Sequence, residues 1–148
     1  MKKKNSLWIA IDFDGTCVAD DFPRIGKDIG AAQVLKKITK AGHKLILNTM
    51  RSDIKEPKSN DPNIVCVGGN YLSEAVDWFI DNGIVLSGIN TNPTQKTWTK
   101  SPKTYADLYI DDRSLGVPLL FDPKNLKKSY VDWELIENLL VVLEIIEP

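Results

Sequence analysis

Histidine and cysteine are scarce. The 148-residue chain has one histidine, His43, and two cysteines, Cys17 and Cys66, with no CxxC or Cys/His spacing between them. That excludes the zinc sites built on nitrogen and sulfur ligands, and leaves the cysteines as reduced, apolar core residues. An excess of charge of one sign is lacking too. Nineteen Lys plus Arg stand against 20 Asp plus Glu, so a net charge of -1 gives no global field toward nucleic acid or anionic membrane. No apolar run approaches a membrane span. The basic start "MKKKNSLWIAIDF" is interrupted by Asp12 and has no small-residue cleavage site, so no signal peptide is expected and the cytoplasm is the expected compartment. There is no internal repeat, low-complexity tract or linker, and the length suits one domain over residues 1–148.

What is present alternates. "LWIAI" and "KLILNTM" are short apolar runs of the kind found in strands buried on both faces. Between them, Ile29, Ala32, Leu35, Ile38 and Ala41 recur at helical spacing and stop at Gly42. "YLSEAVDWFIDNG" carries a second apolar stripe through Leu72, Ala75, Val76, Phe79 and Ile80. "IVL", "YADLYI" and "VPLLF" read as further strands, "INTNPTQKTWTKSPK" as a loop, and "VDWELIENLLVVLEII" as a closing helix with Asp132 near its start. Strands alternating with helices predict an α/β fold, a Rossmann-like three-layer parallel sheet with helices on both faces.

In such sheets ligands bind beyond the carboxyl ends of the strands. Asp12 and Asp14 follow the first strand, Thr49 the second, and Asp111 and Asp112 the fourth, so all are expected on one rim. Clustered carboxylates repel one another unless a cation compensates. An all-oxygen set without His or Cys favours Mg²⁺. Lys103, in the loop before the fourth strand, adds a positive charge. Cation, lysine and hydroxyl beside a carboxylate are what phosphoryl transfer requires.

These residues resemble those of the haloacid dehalogenase-like hydrolases. That family's DxDx[TV] motif matches Asp12, Asp14 and Thr16 in "DFDGT", its strand-end Thr or Ser matches Thr49, its lysine Lys103, and its acidic pair Asp111 and Asp112, in family order. The resemblance implies a Mg²⁺-dependent phosphatase acting through an aspartyl-phosphate. Asp12 would be nucleophile and Asp14 acid, then base. Thr49 and Lys103 would hold the phosphate. The metal would take the Asp12 carboxylate, the Asp14 main-chain carbonyl and Asp111, with Asp112 assisting.

The spacing leaves room for a short flap after Thr16 and no large cap domain. About twenty residues of excess fall in 51–70, where a loop beside the rim is expected to act as a specificity element or lid and "NIVCV" to form an extra strand. Arg51 is placed to reach a substrate anion. An isolated "DFDG" would be a turn, and the other motifs make function the better reading. Arg113 gives Asp112 a structural alternative as its partner. His43, at the opposite strand end, reads as structural, Trp98 as a packed loop anchor with stacking on a base or sugar as its sharper alternative, and the tail helix as core with homodimerisation as its sharper alternative. A non-catalytic phosphate- or metal-binding module is the competing class, and nucleic-acid end processing a competing substrate class. The expected partner is a phosphorylated substrate of unknown identity, with no membrane partner and a homodimer through the tail helix as a further option.

Overall fold

The structure, a computed structural model, describes residues 5–55, 60–63, 68–121 and 128–148. Its strands are β1 (Trp8–Ile11), β2 (Lys44–Leu47), β3 (Asp53–Ile54), β4 (Gly69–Asn70), β5 (Leu86–Ile89), β6 (Leu108–Ile110), β7 (Leu119–Leu120) and β8 (Tyr130–Val131). The helices are α1 (Ala31–Lys40), α2 (Tyr71–Asp81) and α3 (Trp133–Val142). β5, β2, β1 and β6 form a parallel sheet in that order. This is the expected Rossmann-like α/β class.

The near-continuous apolar runs of β1 and β2 follow from their central place: Ile9, Ala10, Ile11, Leu45, Ile46 and Leu47 are all buried. Register puts Ile9, Leu45 and Leu108 in one row and Ile11, Leu47 and Ile110 in the next, all facing one way. Onto that face pack Val34, Leu35 and Ile38 of α1, Ala75 and Phe79 of α2, and Trp133, Ile136 and Leu140 of α3, in one apolar cluster. The Lys37–Glu137 ion pair joins α1 to α3 across its margin.

The second face carries a different layer from the expected helix. Segment 90–106, with one 3₁₀ turn at Gln95–Thr97, lies over it. Pro93 and Pro102 and the lack of apolar periodicity deny this stretch an α-helix. Side-chain amides close it instead. Gln95 Nε2 donates to the Ser101 and Lys103 carbonyls while its Oε1 accepts the Tyr105 N–H. Asn92 Oδ1 accepts from Thr94 and its Nδ2 donates to the Tyr105 carbonyl. The Tyr109 hydroxyl ties β6 to this layer at Thr104 and Ala106.

Three strand expectations shift. The run at Ile84 becomes β5 only from Leu86, because the Ile84 N–H donates to Phe79 O (2.9 Å) in closing α2. β6 starts at Leu108, since the Tyr105 and Ala106 amides are used inside the covering layer. "VPLLF" does not join the main sheet: β7 pairs antiparallel with β8 in a small sheet of its own. Residues 111–118 are too few for the crossover of about a dozen that a parallel fifth strand needs.

Candidate active site

Backbone pairing runs one residue past the strand ends. Asp12 N donates to Ile110 O (3.0 Å), Asn48 N to Ile11 O (2.8 Å) and Asn90 N to Leu47 O (2.7 Å). Asp12 is therefore fixed by the sheet itself, and Thr49 and Asp111 follow directly on residues that are. A cleft of about 460 Å³ opens there, lined among others by Asp12, Asp14, Thr49, Asp111 and Asp112.

Thr16 organises the carboxylates. Its buried hydroxyl donates to Asp12 Oδ2 (2.8 Å) and accepts the Asp112 N–H (3.0 Å), and its carbonyl accepts the indole N–H of Trp133 (2.7 Å). Cys17 Sγ donates to the Asp12 carbonyl (3.2 Å) from full burial, which together with the nearby aspartates pushes its thiol pKa up. Gly15 has φ +79°, and a Cβ there would lie 2.3 Å from Asp112 Oδ2, so the close approach of the two loops needs glycine.

One oxygen each from Asp12, Asp111 and Asp112 lies within 4.8 Å of the others. Burial, opposed by the Thr16 hydrogen bond and reinforced by Asp111, pushes the Asp12 carboxyl up to about 8. Burial likewise raises Asp112. Asp12 is thus held where its charge is poorly accommodated, which a shared divalent cation would reverse. The all-oxygen donor set fits a hard cation of the Mg²⁺ kind. The Asp14 carboxylate stands apart from this triad.

Asp14 and Arg51 are where the geometry departs furthest from expectation. Arg51 is buried, and its Nε and Nη2 donate to both Asp14 oxygens (2.8 and 2.7 Å). Nη2 also reaches the Arg24 carbonyl, and Nη1 the Pro23 and Tyr71 carbonyls. All five guanidinium donors are used. The group lies 5.0 Å from the Phe13 ring centroid and 5.1 Å from that of Phe22. Arg51 is therefore a clamp between the flap, Asp14 and the start of α2, and has no donor left for a substrate anion. That corrects its expected specificity role.

Thr49 lies on the rim as expected. Its N–H donates to Asn90 Oδ1 (2.8 Å) and its hydroxyl accepts the Arg51 N–H (3.1 Å). Lys103 is not brought to the cleft. Its ammonium sits 5.5 Å from the Tyr109 ring centroid, on the second face of the sheet, so the phosphate-binding role expected of it is not supported by its position. The covering loop does not lead straight to the rim, because its Gln95 closure holds Lys103 aside.

Of the 51–70 excess, β3 and β4 pair and draw its ends together, and Asp53 accepts from the Ser73 N–H and hydroxyl at the start of α2. The described part does not line the cleft beyond Arg51. Cys66 and the expected strand through residues 64–67 lie outside the described residues. The cleft's outer wall comes from the flap residues Asp20 and Phe22 and from Met50, which is 98% exposed. Ala19 N to Lys27 O (2.9 Å) closes that flap. His43 is structural: Nδ1 accepts the Leu7 N–H (3.1 Å), leaving Nε2 to donate to Ile145 O (2.8 Å). Asn90, in left-handed conformation, and Trp133 are supports that the sequence reading misses. An Asn directly after a strand is the available signal for the first; Trp133 is 117 residues from Thr16 and gives none.

The fold and cleft define an α/β protein with an acidic centre at the carboxyl ends of its parallel strands. A solved structure described as that of the conserved protein coded by a locus from Bacteroides thetaiotaomicron is 31% identical, over 95% of this chain and 92% of that one, with a TM-score of 0.66. The chain belongs to that protein's family. No family model matches the chain, and no curated protein does.

Proposed function

We propose that the protein is a Mg²⁺-dependent phosphatase of the haloacid dehalogenase-like type, hydrolysing a phosphomonoester through an aspartyl-phosphate on Asp12. The observation that carries this reading is the convergence of Asp12, Asp111 and Asp112 at the ends of two adjacent strands, with Thr16 donating to the Asp12 carboxylate. Bound there, the cation would offset the carboxylate charge and that of the phosphoryl oxygens.

In the first step a carboxylate oxygen of Asp12 bonds to phosphorus as the ester P–O bond breaks, and the leaving alkoxide takes a proton. Water then attacks phosphorus, the acyl phosphate P–O bond breaks, and Asp12 and inorganic phosphate are released. Thr16 fixes the rotamer of Asp12, leaving its other oxygen for attack. Thr49 can offer its hydroxyl to a phosphoryl oxygen. Asp14 is the residue suited to move the proton in both steps, and because both its oxygens accept from Arg51, it must release that partner to do so.

That pairing favours a second reading, a phosphate- or metal-binding module without turnover. One experiment separates them: phosphate release from p-nitrophenyl phosphate with and without Mg²⁺. The phosphatase reading expects metal-dependent release that Asp12→Asn lowers by about a thousandfold or more. Equal release by the variant, or none by the unmodified protein on any phosphomonoester of a wide panel, would sink it.

No helix among the described residues is long and apolar enough to cross a membrane. A cytoplasmic enzyme is the reading that goes with the free, buried Cys17 thiol. A homodimer through α3 belongs to the same reading, supported by the exposed Leu135, Leu139, Val142 and Leu143.

A further inference from the structure

Away from the acidic cleft, the layer over the second face of the sheet has an unusual composition. Between Asp81 and Asp107 the sequence contains no acidic residue, yet carries Lys96, Lys100 and Lys103. On a chain of net charge -1 this is a local basic tract. The same layer exposes aromatic surface: Trp98 is 61% exposed, Tyr109 42% and Tyr105 38%. These three rings and Lys103 share one pocket of about 340 Å³.

The arrangement is built rather than incidental. The Trp98 and Tyr105 rings meet edge to face, with centroids 5.6 Å apart. Tyr105 is anchored by its hydroxyl on Asp107, and Tyr109 by its hydroxyl on Thr104 and Ala106. Buried Gln95 holds the loop shut behind them through Ser101, Lys103 and Tyr105. Lys103 has no carboxylate partner among the described residues; its charge is placed against the Tyr109 ring. A solvent-facing tryptophan on a rigid loop loses little conformational freedom when a planar ligand stacks on it.

Exposed aromatic rings on a preorganised loop interleaved with lysines, with the nearest carboxylate, Asp107, engaged by the Tyr105 hydroxyl and the Trp8 N–H, match the chemistry of a base with its phosphate backbone. We propose that segment 94–106, with the Tyr109 ring beside it, is a binding shelf for single-stranded nucleic acid, one base stacking on Trp98 and the backbone running past Lys96, Lys100 and Lys103. A strand rather than a lone nucleotide is favoured because the three lysines are spread along the loop on both sides of Trp98, more than one phosphate can use. This site is separate from the carboxylate cleft and does not depend on the phosphatase reading.

The test is fluorescence anisotropy of a labelled twelve-residue oligothymidylate titrated with the full-length protein in EDTA, where no turnover or metal is involved. Saturable binding is expected, weakened about tenfold by Trp98→Ala, the order of effect a single base-stacking residue has. Lys100→Gln combined with Lys103→Gln is expected to flatten the salt dependence by about 0.7 in log–log slope for each phosphate no longer neutralised. Lys36→Gln, which removes the same charge from α1, is expected to leave both unchanged. Circular dichroism of each variant confirms that it is folded. Unaltered binding by folded Trp98→Ala, an equal loss in Lys36→Gln, no binding at low salt, or competition by thymidine monophosphate as effective as the oligonucleotide would each overturn the assignment.

Discussion

Arg51 shows how much one side chain can settle. Its guanidinium lies against the Phe13 and Phe22 rings and spends every donor on Asp14 and three carbonyls from two separate segments. Removing it strands a carboxylate and three carbonyls at once. Arg51→Ala is expected to lower unfolding free energy by about 3–5 kcal/mol in urea denaturation, the range for breaking one side of a buried pair. Arg51→Lys should recover little of this, because an ammonium cannot make the bidentate fork. A Lys variant as stable as the parent would refute the clamp. The same residue marks the limit of what sequence conveys. Asp12, Thr49, Asp111 and Asp112 are legible because each lies just past an apolar run whose end the sheet fixes. Arg51 and Lys103 are not, since their partners lie up to 37 residues away or in a loop closed by amide hydrogen bonds that no periodicity announces.

At the level of elements, the helices are readable nearly to their ends. α3 begins where Asp132 accepts from the Glu134 and Leu135 amides, a cap the sequence itself suggests. Asp132→Ala is expected to cost about 1 kcal/mol, a fall of about 2–4 °C in Tm for a chain of this size. No change would mean that packing of Trp133, Ile136 and Leu140 alone sets the start of α3. α2 is different. Its own Asn70 makes no side-chain cap, and Asp53 from β3 takes that place, a pairing set by tertiary contact. Ser73 hydrogen bonds hold the Asp53 carboxyl below its ordinary range. The second-face layer is not legible because its order comes from Asn92 and Gln95 hydrogen bonds, and polar loops carry no repeat from which such closure could be read.

For the molecule as a whole, the acidic centre links stability to pH and metal. The Asp12 carboxyl is raised to about 8 and that of Asp112 is also raised, both chiefly by burial. The folded state therefore binds more protons than the unfolded chain between roughly pH 4 and 8. Stability from these groups is fully present below about pH 4 and is lost as pH rises through about 8. In EDTA, Tm is expected to fall between about pH 5 and about pH 8. Mg²⁺ should raise Tm more at the upper end of that range than at the lower, because cation binding competes with protons for the same oxygens. Asp12→Asn should flatten both trends. A Tm indifferent to Mg²⁺ at about pH 8 would remove the case for a cation at this centre.

β6 has three residues and, among the described residues, lies at the edge of the sheet and pairs on one side only, with β1. Two of the three clustered carboxylates hang from its end, and the third from the end of β1. A cation gripped by all three would act as a crosslink outside the hydrogen-bond ladder, fastening the sheet's least supported strand to its centre. Backbone amide hydrogen exchange should then slow on adding Mg²⁺ first at Asp12, whose N–H donates to Ile110, well before it slows in the β2–β5 half of the sheet.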